Sequence, residues 1–189
     1  MMLIELPIMW IIILDIAAWL CIHMGSSWAV TQLDARHFDP DHPLFRSRAW
    51  EGDGNVYDRL FQIRRWKKWL PDGAALFAKG FPKKRFAQAD PVYVARFIRE
   101  TCRGEFAHWL VIAIAPVFFL WNYWYAGIIM IVYALAFNLP LIIVQRFNRI
   151  RLGLLLDALA RKTATIASDP ASGKTAADAR DHFSSESAL

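Results

Sequence analysis

Two cysteines in 189 residues, Cys21 and Cys102, are too few and too far apart for a disulfide framework or a zinc site, and both read as packing residues. Charge is missing over long stretches: no Lys or Arg precedes Arg36, and residues 106 to 145 carry no formal charge of either sign. Several catalytic signatures are absent too. There is no glycine-rich phosphate loop and no Gly-x-Ser-x-Gly, and the His37 to Asp41 spacing falls one residue short of a His-x-x-x-x-Asp motif. No nucleic-acid-binding motif accompanies the net charge of +5, so no nucleic-acid partner is expected. Cations beside membrane spans are instead drawn to anionic headgroups, at about 1 kcal/mol each.

What is present follows from those gaps. All 22 Lys and Arg fall in two blocks, Arg36 to Arg103 and Arg146 to Arg180. By the positive-inside rule both blocks stay cytoplasmic and the apolar stretches cross the bilayer. A hydrophobic content of 56% with nine Trp and thirteen Phe agrees. The prediction is an all-α membrane protein with three spans, at about 6–24, 106–121 and 127–145, each near the roughly 20 residues a bilayer core requires. The first stretch lacks the leading cation and small-residue cleavage site of a secretory leader, so a retained helix is expected. The hairpin turn belongs near Trp121 to Gly127, and Pro116 and Pro140 should kink their spans. One domain covers residues 1–162, and 163–189, without apolar periodicity, reads as a flexible tail.

The cytoplasmic loop, residues 32 to 104, threads aromatics among its cations and so reads as folded against the membrane. Val56, Leu60, Ile63 and Leu70 recur near helical spacing beside Arg59, Arg64, Arg65, Lys67 and Lys68, the pattern of an interfacial helix that Pro71-Asp72-Gly73 would end. Asp90 as N-cap with Pro91 at the first helical position should start another helix that feeds the second span.

Glu105 and His108 stand three apart and share one helix face at the membrane edge. A carboxylate that fixes an imidazole's tautomer makes a general base; the plainer alternative pairs Glu105 with Arg103 or Arg99. Gln145, Arg146, Asn148, Arg149 and Arg151 form a run of donors where the third span ends, suited to gripping phosphate or, more commonly, to stopping translocation. His37, Asp39, Asp41 and His42 are a loop set that could ligate a divalent ion, but no further ligand motif supports it and no metal is assigned. Asp15, inside the first span, is either a functional residue, as charges at membrane depth commonly are, or pairs with His23 or Glu105 inside the bundle.

Four motifs in one order resemble a known family. Trp50-Glu51-x-x-Gly54, Arg65-Trp66-Lys67 with Leu70-Pro71-Asp72-Gly73, Arg103-x-Glu105-x-x-His108-Trp109, and Asn138-x-Pro140 leading to Gln145-Arg146-Phe147-Asn148-Arg149-x-Arg151-Leu152 are similar to the small bacterial membrane acyltransferases of carotenoid biosynthesis, typified by glycosyl-4,4'-diaponeurosporenoate acyltransferase. The likeness covers about residues 36 to 160, with Phe147 where Tyr is expected. It implies an enzyme of the bacterial cytoplasmic membrane that moves a fatty acyl group from a thioester, acyl-CoA or acyl carrier protein, to a sugar hydroxyl of a glycolipid such as a glycosylated carotenoid acid, with no tightly bound cofactor; the alternatives are acyl transfer to another lipid acceptor, or a non-catalytic lipid-binding scaffold that uses the same arginines for anionic headgroups. On that footing His108 and Glu105 would be catalytic. Arg65, Lys67, Arg146, Arg149 and Arg151 would hold donor phosphates, Gln145 or Asn148 would serve the oxyanion, and Asp72, Arg103 and Asn138 would complete the substrate site. Membrane lipids would surround the protein, and three helices make so thin a bundle that a homo-oligomer is a candidate assembly.

Overall fold

The computed structural model describes residues 6–66 and 90–168. Every regular element within them is helical: α1 (Ile8–Gln32), single 3₁₀ turns at Ala35–His37 and Ala49–Glu51, α2 (Asn55–Phe61), α3 (Ile63–Trp66), α4 (Pro91–Ile114), a 3₁₀ segment at Ala115–Leu120, and α5 (Trp124–Ser168). Three stretches are long and apolar enough to cross a membrane: Ile8–Gln32, Pro91–Leu120 and Trp124–Thr165. The predicted all-α membrane architecture is therefore the one observed, with longer helices than the apolar stretches alone suggested.

α1 is apolar on every side. Its narrow buried stripe, Ile11, Ile22, Ser26 and Val30, faces α4, while Ile8, Met9, Trp10, Ile12, Ile16, Leu20 and Met24 project outward. An outward apolar surface of that extent suits hydrocarbon rather than water. α4 opens as the sequence predicts: Pro91 takes the first helical position and the Asp90 carboxylate accepts a hydrogen bond from the Val92 N–H at 3.0 Å. Pro116 has no N–H to continue the α ladder, and the chain tightens into the 3₁₀ segment there. α5 restarts at Trp124, inside the stretch expected to be turn. Gly127 makes this possible, because a Cβ at that position would lie 2.5 Å from the Phe119 ring.

Three corrections concern α5, Asp15 and the loop. α5 runs on through Pro140 and past residue 145 to Ser168, so residues 163–168 are helix rather than tail. The Thr163 and Thr165 hydroxyls donate back to the Leu159 and Arg161 carbonyls at 3.1 and 3.0 Å, which suits a helix as well as a turn. The Asp15 carboxylate meets neither His23 nor Glu105. It accepts from Trp121 Nε1 and Asn122 Nδ2, both at 2.8 Å, and so ties α1 to the hairpin turn.

The expected single helix from Val56 onward breaks at Gln62, whose φ of 50° is left-handed. Six helical steps separate Tyr57 from Ile63, a turn of about 240° beyond one full revolution, so a straight helix could not bury both on one side. The break lets Tyr57 and Ile63 pack together on Val144, Phe147 and Ile150 of α5. Gly54, at φ 86°, caps α2 where a Cβ would already touch Phe147 and Ile150. Lys67 and the Pro71-Asp72-Gly73 turn lie outside the described residues.

α4 packs along both α1 and α5. Near the hairpin turn the core is Ile11, Ile22, Val111, Phe118 and Trp121; at the opposite, loop end Val30 meets Phe38, Phe45 and Cys102. α1 and α5 are bridged at Trp19, whose indole N–H lies 3.4 Å from Met130 Sδ and whose ring lies 4.8 Å from that of Tyr133.

Candidate active site

The loop end of the bundle sets four charged side chains in alternation, with Glu51, Glu105 and Arg149 buried and Arg146 half-buried. Glu51 closes the 3₁₀ turn that begins at Ala49 and is only 1% exposed. Its carboxylate accepts from Arg146 Nε at 2.7 Å and Arg146 Nη2 at 3.1 Å, and also from the Tyr57 hydroxyl and the Arg48 backbone N–H. The third nitrogen of the same guanidinium, Nη1, donates to Glu105 Oε1 at 2.9 Å. Glu105, fully buried on α4, takes a second arginine on its other oxygen, Arg149 Nη2 to Oε2 at 2.5 Å, while the Trp109 indole donates to Oε1 at 3.3 Å. Arg146 additionally donates to the Arg46 and Leu44 carbonyls at 3.2 and 3.4 Å.

Two carboxylates and two guanidinium groups thus cancel in a site where either charge alone would be costly. Burial by itself would lift the Glu51 carboxyl, yet the bonds from Arg146, Tyr57 and the Arg48 N–H outweigh it and hold the group below its ordinary range. The Tyr57 phenol is pushed up to about 12 by burial and by donating to Glu51.

His108 follows Glu105 by one turn of α4 but does not share its partners. His108 Nδ1 lies 3.0 Å from Asn138 Oδ1 of α5. Asn138 is buried, and its Nδ2 donates to the Ala134 carbonyl at 2.8 Å, which can only accept. The amide's orientation is therefore fixed, its oxygen faces the imidazole, and Nδ1 must carry the proton. That leaves the lone pair on Nε2 of a half-buried ring. The Glu105–His108 dyad expected from helix spacing is replaced by two separate pairings, Glu105 with the arginines and His108 with Asn138.

The remaining sequence-predicted residues scatter around this centre. Gln145 lies against Gly104, where a Cβ would come within 2.9 Å of its Nε2, so α4 and α5 approach closely at that point. Arg103 pairs with Glu100 at 2.9 Å, sits 5.1 Å over the Phe38 ring and reaches the Leu33 carbonyl, outside the cluster. Asn148 lies between Arg146 and Arg149 in sequence and is half-buried, and Arg151 is exposed. Arg65 is exposed and donates to Gln62 at 2.8 Å, well away from His108 in sequence and element. Lys67 and Asp72 lie outside the described residues. In the His37 to His42 loop, Asp39 accepts from the Asp41 N–H and His42 Nδ1 from the Leu44 N–H, which are local turn bonds. Among the described residues no group of three His, Cys, Asp or Glu is placed to hold a metal ion.

Spacing did not identify Glu51 and Tyr57 as members of the cluster, since Glu51 meets Arg146 across 95 positions. The signal available was their burial-prone setting, a carboxylate beside Trp50 and ahead of a glycine turn.

A sequence profile of the family described as glycosyl-4,4'-diaponeurosporenoate acyltransferase matches residues 41–158. Curated proteins of that name from Staphylococcus aureus strains bovine RF122 / ET3-1 and MRSA252 are each 32% identical over 145 residues, which is 76% of this chain and 87% of theirs. The Newman strain protein matches to the same extent. No solved structure matches.

Proposed function

The chain belongs to the glycosyl-4,4'-diaponeurosporenoate acyltransferase family and is an acyltransferase, and from that premise we propose that it esterifies a sugar hydroxyl of a glycosylated carotenoid acid with a fatty acyl group taken from acyl-CoA or acyl carrier protein. The observation that carries the reading is His108, whose Nδ1 proton is committed to a fixed Asn138 amide and whose Nε2 lone pair is thereby left to accept a proton. A neutral imidazole of defined tautomer is what proton removal from a hydroxyl needs near neutral pH.

In the proposed step Nε2 takes the proton of the acceptor hydroxyl as its oxygen attacks the thioester carbonyl carbon. The C–O bond forms, the C–S bond breaks, and the departing thiolate recovers the proton from the imidazolium, giving ester and free thiol. No covalent enzyme intermediate is required. Arg146 and Arg149 are neutralised by Glu51 and Glu105, so their part is to hold the loop and α4 around His108. Arg151 and Arg65, exposed at the loop end, are left to meet the donor's phosphates, with Lys67 as a further candidate. The basic loop and the C-terminal end of α5 face the cytoplasm in this reading, as the distribution of cations favours.

The test is turnover by detergent-purified wild type and His108→Ala with labelled acyl-CoA, acyl carrier protein thioester, and a panel of glycolipid acceptors, read by mass spectrometry. Acylated carotenoid glycoside from the wild type, reduced roughly 10²- to 10⁴-fold in the variant, is expected. Near-normal turnover by folded His108→Ala would move the base elsewhere, and product only with another lipid acceptor would replace the proposed substrate.

A further inference from the structure

Two rows of rings run side by side from the point where α1 meets α5. Trp19 touches Tyr133 across the bundle at 4.8 Å. On α1, His23 follows Trp19 by one turn with ring centroids 5.5 Å apart; on α5, Phe137 follows Tyr133 by one turn at 4.6 Å. Both rows head towards the loop end of the molecule. Phe137 precedes Asn138, the residue that holds His108. The Trp19–Tyr133 contact therefore joins the two rows at one end, and the trough between them lies over α4, on which both helices pack. His23 is exposed, Tyr133 is 37% and Phe137 58% exposed. In a bilayer these surfaces open sideways into hydrocarbon.

Resting on the acyl-acceptor reading above, we infer that the trough framed by Trp19, His23, Tyr133 and Phe137 is the intramembrane seat of the acceptor's conjugated chain, placing its sugar at His108. Flat rings on both walls suit a flat, rigid polyene, which presents a π face along its whole length and loses little conformational freedom on docking. A saturated acyl chain has no such face and many rotamers to lose. The charged or phosphorylated head of a thioester donor also belongs at the water-facing, cation-bearing loop end, whereas the trough is reached from within the bilayer. Sugar hydroxyls are the polar part of the acceptor, and the imidazoles of His23 and His108 can exchange hydrogen bonds with them.

The experiment compares acylation of two acceptors in lipid nanodiscs, a glycosylated polyenoic acid and the same sugar on a saturated acid of equal length. Wild type, Phe137→Ala and Phe137→Leu are used, with size-exclusion and thermal-shift checks of folding. The wild type should prefer the polyene. Losing one aromatic face should raise the polyene acceptor's KM about three- to tenfold while its kcat, the donor's KM and the saturated acceptor's kcat/KM stay within about twofold; the leucine variant, which keeps the volume without the ring, should behave likewise. An equal loss for both acceptors, no change for either, or a rise in donor KM instead would overturn the assignment. Failure of the wild type to acylate either acceptor would refute the substrate reading itself, a result distinct from an unchanged preference in an active variant.

Discussion

Arg146 divides its guanidinium between Glu51 and Glu105, giving Nε and Nη2 to the first and Nη1 to the second. One side chain of α5 thereby fixes both the loop and α4. Its planar fork matches the two-point grip on Glu51, and its remaining nitrogen spans to a second carboxylate that a lysine ammonium could not reach at the same time.

Arg146→Ala should therefore cost about 3–5 kcal/mol, since it leaves the buried Glu51 without a cation and takes from Glu105 one of its two arginines. Arg146→Lys should restore only part of this, because charge returns without the fork. Unfolding of the detergent-solubilised protein in a denaturant series measures both, and a lysine variant as stable as wild type would show that charge alone suffices.

Acid should loosen the loop before it affects the spans. Glu51 is held below its ordinary value of 4.5 by its donors, so its contribution is present above that pH and is lost as pH falls through the lower folded-state value. Melting temperature should fall with decreasing pH below about 4.5 in the wild type. Glu51→Gln, already lacking the charge, should be less stable at neutral pH and flatter on the acid side; an unaltered acid limb would assign the dependence to other carboxylates.

Asn138 acts on the reaction only through His108, which makes it a positioning residue. Asn138→Leu keeps the volume but frees the imidazole to rotate and to take the other tautomer, and kcat should fall roughly tenfold to hundredfold with acceptor KM little changed. Asn138→Asp, which still accepts from Nδ1, should retain more activity than the leucine variant. Loss of acceptor affinity without loss of kcat would make Asn138 a binding residue instead.

Spans, cap and helix faces were legible because they depend on neighbours in sequence. Charge-free stretches marked the spans, Asp90 and Pro91 announced the start of α4, and the interval from Glu105 to His108 put both on one face. Their partners were not legible, because Arg146, Arg149 and Asn138 arrive from another helix 41, 44 and 30 positions away. Gln62 carries no local signal for a left-handed break; that conformation is imposed by the burial of Tyr57 and Ile63 on α5. The polar run of Ala, Ser and Thr after Leu159 hid the end of α5, where the helix persists without an apolar stripe to advertise it.

The buried Glu–Arg alternation also sets a clock on biosynthesis. Glu51 and Glu105 leave the ribosome before either guanidinium that neutralises them, and Arg149 trails Glu105 by 44 residues. At roughly 5–20 residues per second that interval lasts about 2–9 s, during which a nascent chain holds two carboxylates that cannot yet be taken out of water. The loop must therefore wait, undocked, for the last helix, and a ribosome that stalls before codon 146 releases a product whose exposed acidic pair distinguishes it from the finished enzyme.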